Sequence, residues 1–263
     1  MALLASISPL FVLSGFAVGF LVGMTGVGGG SLMTPLLILL FNVHPVTAVG
    51  TDLIYASVTK SGGSLVHGFN KTIDWRIVRR LATGSVPASL LTLGLLWVLK
   101  IDQASYSTIV TKVLGVALLL TATAVLLRRK LLAGYARRVG VLSENQTRLF
   151  TVATGVALGV LVTISSVGAG ALGVTALLLL YPEQPVVKIA GSDISHAVPL
   201  TLIAGIGHLA SGGVDLAVLA ALLCGSLPGI MIASLFAPRL PDRALRVVLA
   251  VTLTVVSIRL LSA

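Results

Sequence analysis

Charged residues are scarce in this chain. Asp, Glu, Lys and Arg make up 10% of its 263 residues, hydrophobic residues make up 56%, and the mean hydropathy is +1.08. A soluble domain carries about 25% charged residues, so this chain has too little polar surface to be covered by water. Its single cysteine, Cys224, excludes an internal disulfide and lies in an apolar run, where we expect a core residue. We therefore expect an integral membrane protein whose main surroundings are the lipid bilayer.

Residues and motifs for several kinds of chemistry are also missing. The glutamates are limited to Glu144 and Glu183, and no Walker loop, zinc-ligand spacing or Ser–His–Asp pattern stands out. These absences predict no ATP-driven motor, no metal site, no cofactor and no enzyme. The start of the chain lacks a basic region, so we expect no cleaved signal peptide. The net charge of +10 comes from bases clustered at segment ends, which indicates membrane orientation rather than a nucleic-acid partner.

What the chain has in abundance is apolar segments. They fall at roughly 8–24, 31–41, 46–66, 77–99, 106–127, 149–164, 169–181, 186–207, 216–237 and 244–261. A full membrane span needs about 20 residues, so the second and seventh segments are too short for a comfortable crossing. The sequence leaves open whether these two cross the membrane or re-enter it. The fold class expected is an all-α polytopic membrane protein.

A long basic stretch divides the chain. We expect residues 1–127 to form a first transmembrane repeat, 128–148 a basic cytoplasmic loop that links the halves, and 149–263 a second repeat. Aligning the halves places several unusual residues on one another: Gly28 on Gly168, Gly30 on Gly170, Thr51–Asp52 on Ser192–Asp193, His67 on His208, and Asp74 on Asp215. Chance similarity between apolar segments would not align histidines and aspartates in this way. Each half is expected to contain about five hydrophobic segments.

The basic loops indicate that the two halves are inverted in the membrane. In the first half, the loop after the third segment carries Lys71, Arg76, Arg79 and Arg80, whereas the corresponding loop of the second half, "SGGVD", carries no base. The next loops show the opposite bias, "KIDQAS" against "PRLPDRALR". If basic loops are cytoplasmic, the repeats have opposite orientations. Inverted repeats with short, glycine-broken segments are typical of secondary transporters and point to the substrate site.

Glycines interrupt each half before its short segment. The runs "TGVGGGS" and "TISSVGAGALG" precede segments 31–41 and 169–181. A helix that ends inside a bilayer must have its backbone groups satisfied, and helix N-termini attract anions. We expect Ser31 to be an N-cap and the two breaks to form an anion pocket, although close helix packing through small residues would also explain the glycines. The expected substrate-binding residues are Gly28, Gly29, Gly30, Ser31, Thr51, Ser165, Ser166, Gly168, Gly170 and Ser192.

Ionisable residues inside apolar segments form a second group of candidates. An ionisable side chain in a membrane segment costs at least ~2.5 kcal/mol and is a functional hypothesis by default. The expected coupling or pathway residues are Asp52, Asp193, Lys60, His67, His196 and His208. Simpler roles stay open: the aspartates as helix caps, Lys60 as a structural partner of Asp52, and the two matched histidines as interfacial hydrogen-bonding groups.

The sequence resembles the TauE/SafE sulfite exporter family, also called TSUP. The resemblance lies in "GFLVGMTGVGGGSLMTPLLILLFNVHPVTAVGTDL", then in "GGSLVHGFNKTIDWRIV" and "GSVPAS", and in a weaker second copy that begins "SSVGAGALGVTALLLLYPEQPVV". It covers nearly the whole chain. The residues that match its motifs are Gly26, Gly28, Gly29, Gly30, Ser31, Pro35, Pro45, Ala48, Gly50 and Thr51. The resemblance implies a transporter of sulfite, sulfonates or related anions in the bacterial inner membrane, driven by an ion gradient.

Together these features predict a multi-pass secondary transporter, expected to be an exporter, of small sulfur-containing anions. We expect it to work by alternating access, to be coupled to protons or else to sodium, and to form a homodimer if it oligomerises. A passive anion channel is the first alternative, since matched breaks near the membrane midplane also suit a channel. An integral membrane lipid-phosphate enzyme is the second, but the two glutamates lie in loops rather than in membrane segments.

Overall fold

The computed structural model describes residues 9–25, 30–99, 102–138, 142–236 and 242–262. Within these ranges the chain is helical and contains no strand. The helices are α1 (Pro9–Thr25), α2 (Gly30–Leu39), α3 (Pro45–Phe69), α4 (Trp75–Val98), α5 (Gln103–Arg138), α6 (Glu144–Ser165), α7 (Ala171–Leu180), α8 (Val186–Ala210), α9 (Leu216–Phe236) and α10 (Asp242–Ser262). Each predicted apolar segment corresponds to one helix, which confirms the all-α fold.

The helices have the length and surface of membrane spans. Among the described residues, five helices are long and apolar enough to cross a bilayer: α4, α5 up to Arg128, α6, α8, and α9 up to Ala233. Large apolar side chains such as Leu91, Val98 and Phe69 are strongly exposed along the outer helix faces. Exposed apolar surface on this scale is unusual for a soluble protein and is typical of contact with lipid. Cys224 belongs to this outer surface, so its expected place in the core is wrong.

The two halves of the chain interlock. The most extensive helix pairs are α1 with α9, α4 with α6, α3 with α8, and α5 with α10, and each pair joins one half to the other. One buried cluster packs α3, α4, α6, α7 and α8 around Leu53, Leu81 and Leu200. Another packs α1, α2, α3 and α9 around Leu37 and Leu222. The helices on either side of each glycine-rich interruption are therefore buried against α3 and against helices of the opposite half.

Glycines allow the paired helices to approach closely. A Cβ atom on Gly84 of α4 would collide with the backbone of Val152 in α6, and one on Gly155 would collide with the backbone of Leu81. Gly225 of α9 meets the backbone of α1 in the same way. Small residues at such crossings are the usual means of packing membrane helices, because they let the backbones touch. For Gly84, Gly155 and Gly225, close packing is therefore a sufficient explanation.

Helices that are equivalent in the repeat run antiparallel. The start of α3 lies beside the segment that follows α8, where the Asp215 N–H donates to Thr51 Oγ1 at 3.0 Å. The start of α8 lies beside the segment that follows α3, where the Asp74 N–H donates to Ser192 Oγ at 2.8 Å. The two contacts are repeat equivalents of one another. They show that α3 and α8 point in opposite directions.

Helix α5 is longer than the sequence suggests. The sequence predicts a loop over 128–148, but α5 is 36 residues long and stays helical through 128–138. The reason is composition, since this part is rich in Leu, Ala, Lys and Arg, all of which favour helix. Helix α5 packs on α10, where Ser257 Oγ donates to the Gly115 carbonyl at 2.7 Å. The cytoplasmic location of the basic stretch stays a prediction.

The short helix α7 turns back along α6. The hydroxyl of Tyr181, which follows α7, lies 2.8 Å from Thr151 Oγ1 in the first half of α6. With a rise of about 1.5 Å per residue, a helix that continued in the direction of α6 would carry Tyr181 tens of ångströms away from Thr151. Helices α6 and α7 therefore form a re-entrant hairpin. This answers, for the seventh segment, the question that the sequence leaves open.

Candidate functional site

The tip of the α6–α7 hairpin is an irregular turn within the protein core. Residues 166–170 are all buried, and three of them have positive φ: Ser166 at 59°, Gly168 at 129° and Gly170 at 132°. Glycine adopts such angles without a steric cost, which explains why two glycines are needed at this turn. Ser165 ends α6, and its hydroxyl accepts the Val167 N–H at 3.3 Å. Four of the predicted substrate-binding residues therefore lie together at one break.

The corresponding glycine-rich stretch of the first half is described only from Gly30 onward. Gly28 and Gly29 lie outside the described residues. Gly30 is the first residue of α2 and Ser31 the second. The expected N-cap at Ser31 is therefore wrong, because the helix has already begun one residue earlier. The structure does not describe the surroundings of the Ser31 side chain.

Lys60 connects α3 to the second break. Its side chain is buried, and its Nζ donates a hydrogen bond to the Ala169 carbonyl at 2.9 Å. The ammonium also interacts electrostatically with Asp52 and Asp193. Among the described residues, neither Asp52 nor Asp193 forms an ion pair at 4 Å or less. Lys60 is therefore bonded to the hairpin tip and lies within electrostatic range of both carboxylates, rather than forming the simple pair with Asp52 considered from the sequence.

Asp52 and Asp193 are both fully buried, but their contacts differ. Thr34 Oγ1 of α2 donates to Asp52 Oδ2, whereas Oδ1 has no partner among the described residues. Both carboxylate oxygens of Asp193 lack such a partner, and Asp193 packs against Gly173 in the first turn of α7. Each aspartate lies about two turns into its helix, too far from the start to act as a cap.

The capping role belongs to a different pair of aspartates. Asp74 Oδ1 accepts the N–H groups of the first turn of α4, and Asp215 Oδ1 accepts those of the first turn of α9. Carboxylates at this position satisfy the free amides of a helix start. This leaves Asp52 and Asp193 without a capping role in their own helices, α3 and α8.

Two further polar contacts occupy equivalent positions in the repeat. His196 Nε2 of α8 lies 2.7 Å from Ser85 Oγ of α4, and its Nδ1 has no partner in the described part of the chain. Tyr55, the repeat counterpart of His196, has its hydroxyl beside Ser226 of α9. Ser226 is in turn the counterpart of Ser85. The repeat therefore places a histidine–serine contact in one half and a tyrosine–serine contact in the other.

We call these side chains the central polar cluster: Asp52, Tyr55, Lys60, Ser166, Asp193 and His196. Of the described residues, the buried side-chain atoms without a hydrogen-bond partner are those of Asp52, Tyr55, Ser166, Asp193, His196 and Ser226. A buried polar group without a partner costs about 1–3 kcal/mol, so an isolated case would already need explaining. Their concentration beside the short helices α2 and α7, in a chain with so little charge, marks a candidate functional site.

Four predicted residues lie outside the cluster and make structural contacts. The hydroxyls of Thr51 and Ser192 accept the interhelical hydrogen bonds described above. His67 Nδ1 lies 2.8 Å from Thr72 Oγ1, and His208 Nε2 lies 2.9 Å from the Thr163 carbonyl. The reading of these histidines as hydrogen-bonding groups near helix ends fits these contacts, whereas a part in proton movement stays a prediction.

A separate cavity lies at one end of the bundle. It has a volume of about 390 Å³ and is lined by Val46, Leu93, Leu96, Trp97, Gln103, Tyr106, His208 and Ser211. These residues come from the start of α3, the ends of α4 and α8, and the start of α5. The cavity includes His208 but no member of the central polar cluster, and its lining contains no carboxylate, lysine or arginine.

The sequence does not predict every residue of the site. Four further residues each contact a member of the cluster: Thr34, Ser85, Ser226 and Ala169. The repeat alignment contained a usable sign, since it pairs Ser85 with Ser226 within "GS-x-P". No sequence pattern predicts the Ala169 contact, because it is made by a backbone carbonyl, a group that every residue has.

The fold and the cluster together define a class: polytopic α-helical membrane proteins with a re-entrant broken helix and ionisable groups at its tip. The chain belongs to the sulfite exporter TauE/SafE family, whose model matches residues 11–260. The match covers both interlocked halves, including the hairpin and the cluster.

Relatives among curated proteins are named as probable membrane transporters. The chain is similar to probable membrane transporter protein YjnA of Bacillus subtilis, with 38% identity over 97% of this chain and 100% of the relative. It is 26% identical to YdhB of the same organism over 96% of this chain and 99% of the relative. It is 27% identical to MJ0441 of Methanocaldococcus jannaschii over 75% and 70% of the respective chains. No solved structure matches the chain significantly.

Proposed function

We propose that this protein is a secondary transporter that exports small sulfur-containing anions, such as sulfite or short organosulfonates, across the bacterial inner membrane. Transport is coupled to a proton gradient and proceeds by alternating access. The family assignment supports transport of a sulfur oxyanion. The names of the relatives support a membrane transporter.

The observation that carries this proposal is the central polar cluster at the tip of the α6–α7 hairpin. The N-terminal end of α7 faces the core, and helix N-termini favour anions through their free amides and dipole. Lys60 adds a buried positive charge at the same place. Asp193 adds a buried carboxylate that can take up a proton. The proposed anion site and the proposed proton site are therefore adjacent, which allows the two to be coupled directly.

The antiparallel packing of equivalent helices supports the inverted-repeat part of the proposal. Helices α3 and α8 run in opposite directions and contact each other along the centre of the molecule. In transporters built from inverted repeats, rocking of one repeat against the other exposes a central site to each side in turn. The cluster lies on α3, on α8 and at the hairpin tip, where such a movement would act.

Flux measurements in proteoliposomes test the proposal. Labelled sulfite and methanesulfonate are offered with and without an imposed pH gradient to wild type and to Asp193→Asn. We expect gradient-driven flux in wild type and its loss in the variant, because the amide cannot carry the proton. Asp215→Asn is the matched control, since asparagine caps a helix as well as aspartate does and Asp215 lies outside the cluster.

The outcomes separate the proposal from its alternatives. Rapid flux that ignores the gradient would favour a passive channel. Flux driven by sodium and not by protons would change the coupling ion. Failure of both anions to move would remove the support for a sulfur oxyanion substrate.

A further inference from the structure

We propose that Asp193 and the transported anion compete for the Lys60 ammonium, so that the anion binds when Asp193 is protonated and the two cross the membrane together. The inference rests on the proposed function and deepens it. It assigns Lys60 as the counter-charge of the substrate. It also fixes the relative direction in which proton and anion move.

The first step is the position of Asp193. Its carboxylate is fully buried, lies against the first turn of α7 within interaction range of the Gly170 N–H, and has no side-chain donor among the described residues. A carboxylate at a helix N-terminus occupies the place that an oxyanion substrate would take, since both are attracted by the same amides and dipole. Asp193 therefore acts as a resident substitute for the substrate when the site is empty.

The second step is the position of Lys60. It donates to the Ala169 carbonyl, which lies two residues before α7 begins. This bond anchors the ammonium at the hairpin tip, within electrostatic range of Asp193. Its counterpart in the second half is Thr201, an uncharged residue that bonds to its own helix. The positive charge is therefore a feature of one half of the repeat alone.

The third step is the balance of charge. With ionised Asp193 and charged Lys60, the pair is neutral in the empty site. With a monovalent anion, charged Lys60 and protonated Asp193, these three groups again sum to zero, and Asp52 contributes the same charge to both states. Net charge inside a membrane is costly, so these two states are favoured over an anion facing an ionised Asp193. Each anion therefore crosses with a proton on Asp193.

Asp52 does not fit this role equally well. It already accepts a hydrogen bond from Thr34, and that bond ties it to α2. The other titratable groups of the cluster are Tyr55 on α3 and His196 on α8. The groups that α4 and the hairpin tip add are uncharged: Ser85, Ser166 and the Ala169 carbonyl. Of the two carboxylates, Asp193 is the one without a side-chain donor.

Movement of the proton together with the anion sets a condition on export. If proton and anion move in the same direction, a gradient that is acid outside opposes export. Export then proceeds when the outward gradient of the anion exceeds the inward gradient of the proton. Each exported anion removes one proton from the cytoplasm.

The test compares anion exchange at different pH values in proteoliposomes. Counterflow of labelled against unlabelled methanesulfonate, and of sulfite, is measured with equal pH on both sides. For wild type we expect counterflow to fall as pH rises, because Asp193 loses its proton. For Asp193→Asn we expect counterflow to persist without that decline, while pH-gradient-driven accumulation is lost. Sulfite changes its own ionisation with pH equally in both experiments. A difference in pH dependence between wild type and Asp193→Asn is therefore due to Asp193.

Variants of Lys60 and Asp52 complete the design. Lys60→Gln should lower counterflow by at least about tenfold, because removing one charge of a buried pair is strongly unfavourable to binding. Thr201→Val, the matched change at the repeat-equivalent position, should leave counterflow and its pH dependence unchanged. Asp52→Asn should keep the wild-type decline with pH. Size-exclusion profiles in detergent establish that each variant is folded.

A pH indicator inside the vesicles gives an independent reading. During downhill methanesulfonate efflux from wild-type vesicles, protons should leave together with the anion. Proton movement opposite to the anion, or a folded Asp193→Asn protein without counterflow, would overturn the inference while leaving coupled transport intact. Absence of any flux by wild type would overturn the proposed function, and this inference with it.

Discussion

Asp52 and Asp193 look alike in the sequence and differ in the structure. Both occupy the same position of the repeat, and both are fully buried. The difference comes from their neighbours in the short helices, Thr34 in α2 and Gly173 in α7. A hydroxyl can bond to a carboxylate, and a glycine leaves room for it. The two halves thus share a backbone plan but differ in the chemistry at its centre.

We expect Thr34→Val to destabilise the protein, because it leaves Asp52 without its hydrogen-bond donor. The expected loss is about 1–3 kcal/mol in the free energy of unfolding, the cost of a buried polar group without a partner. Thermal unfolding in detergent measures it. Thr92→Val is the control, since the Thr92 hydroxyl bonds to the Ala88 carbonyl of its own helix. An equal loss in both variants would mean that Asp52 gains nothing from Thr34.

At the scale of helices, glycine has two different uses in this protein. In α4, α6 and α9 it lets backbones touch across the boundary between the halves. At the hairpin tip, Gly168 and Gly170 adopt angles that other residues disfavour. Close packing therefore explains the glycines at the helix crossings, whereas the anion pocket expected at the breaks stays a prediction.

Helix α4 allows a direct test of close packing. Gly84→Ala places a methyl group against the Val152 carbonyl, whereas Gly94→Ala meets nothing within 4 Å. We expect the first change to lower the unfolding temperature in detergent. The second should leave it equal or raise it, because alanine favours a helix over glycine by about 1 kcal/mol. A similar drop for both would show that α4 and α6 do not depend on this contact.

At the scale of the whole molecule, the antiparallel helices predict where the loops lie. The start of α8 contacts Asp74. From Ser192, which accepts the Asp74 N–H, to Ser211 at the far end of α8 the rise is about 28 Å at 1.5 Å per residue, close to the ~30 Å thickness of a bilayer core. The loops after α3 and after α8 should therefore face opposite sides of the membrane, with the basic loop after α3 in the cytoplasm.

Cysteine labelling from outside intact cells tests this orientation. In a Cys224→Ala background, we expect Ser211→Cys to react with an impermeant maleimide and Arg79→Cys to react after permeabilisation. Both positions are exposed ends of helices in the structure. Labelling of both from the same side would contradict inverted repeats.

The sequence by itself determined the class of the protein and the approximate bounds of the described helices, apart from the C-terminal extension of α5. The glycine-rich stretches before the short helices and the alignment of the two halves are also read from it directly. These follow from hydropathy, glycine and repetition, which are properties of local sequence. It also singled out Asp52, Asp193, Lys60 and His196 as ionisable groups in apolar segments, and the family match followed from the same motifs.

Only the tertiary structure decided which of those residues meet. It placed Thr51, Ser192, His67 and His208 in contacts between or at the ends of helices, and it brought Lys60 to a carbonyl more than a hundred residues further along the chain. It also showed that α7 turns back on α6. The physical reason is that such contacts join distant parts of the chain. The partner of a buried polar atom is set by how helices from opposite halves pack, and no local pattern records that packing.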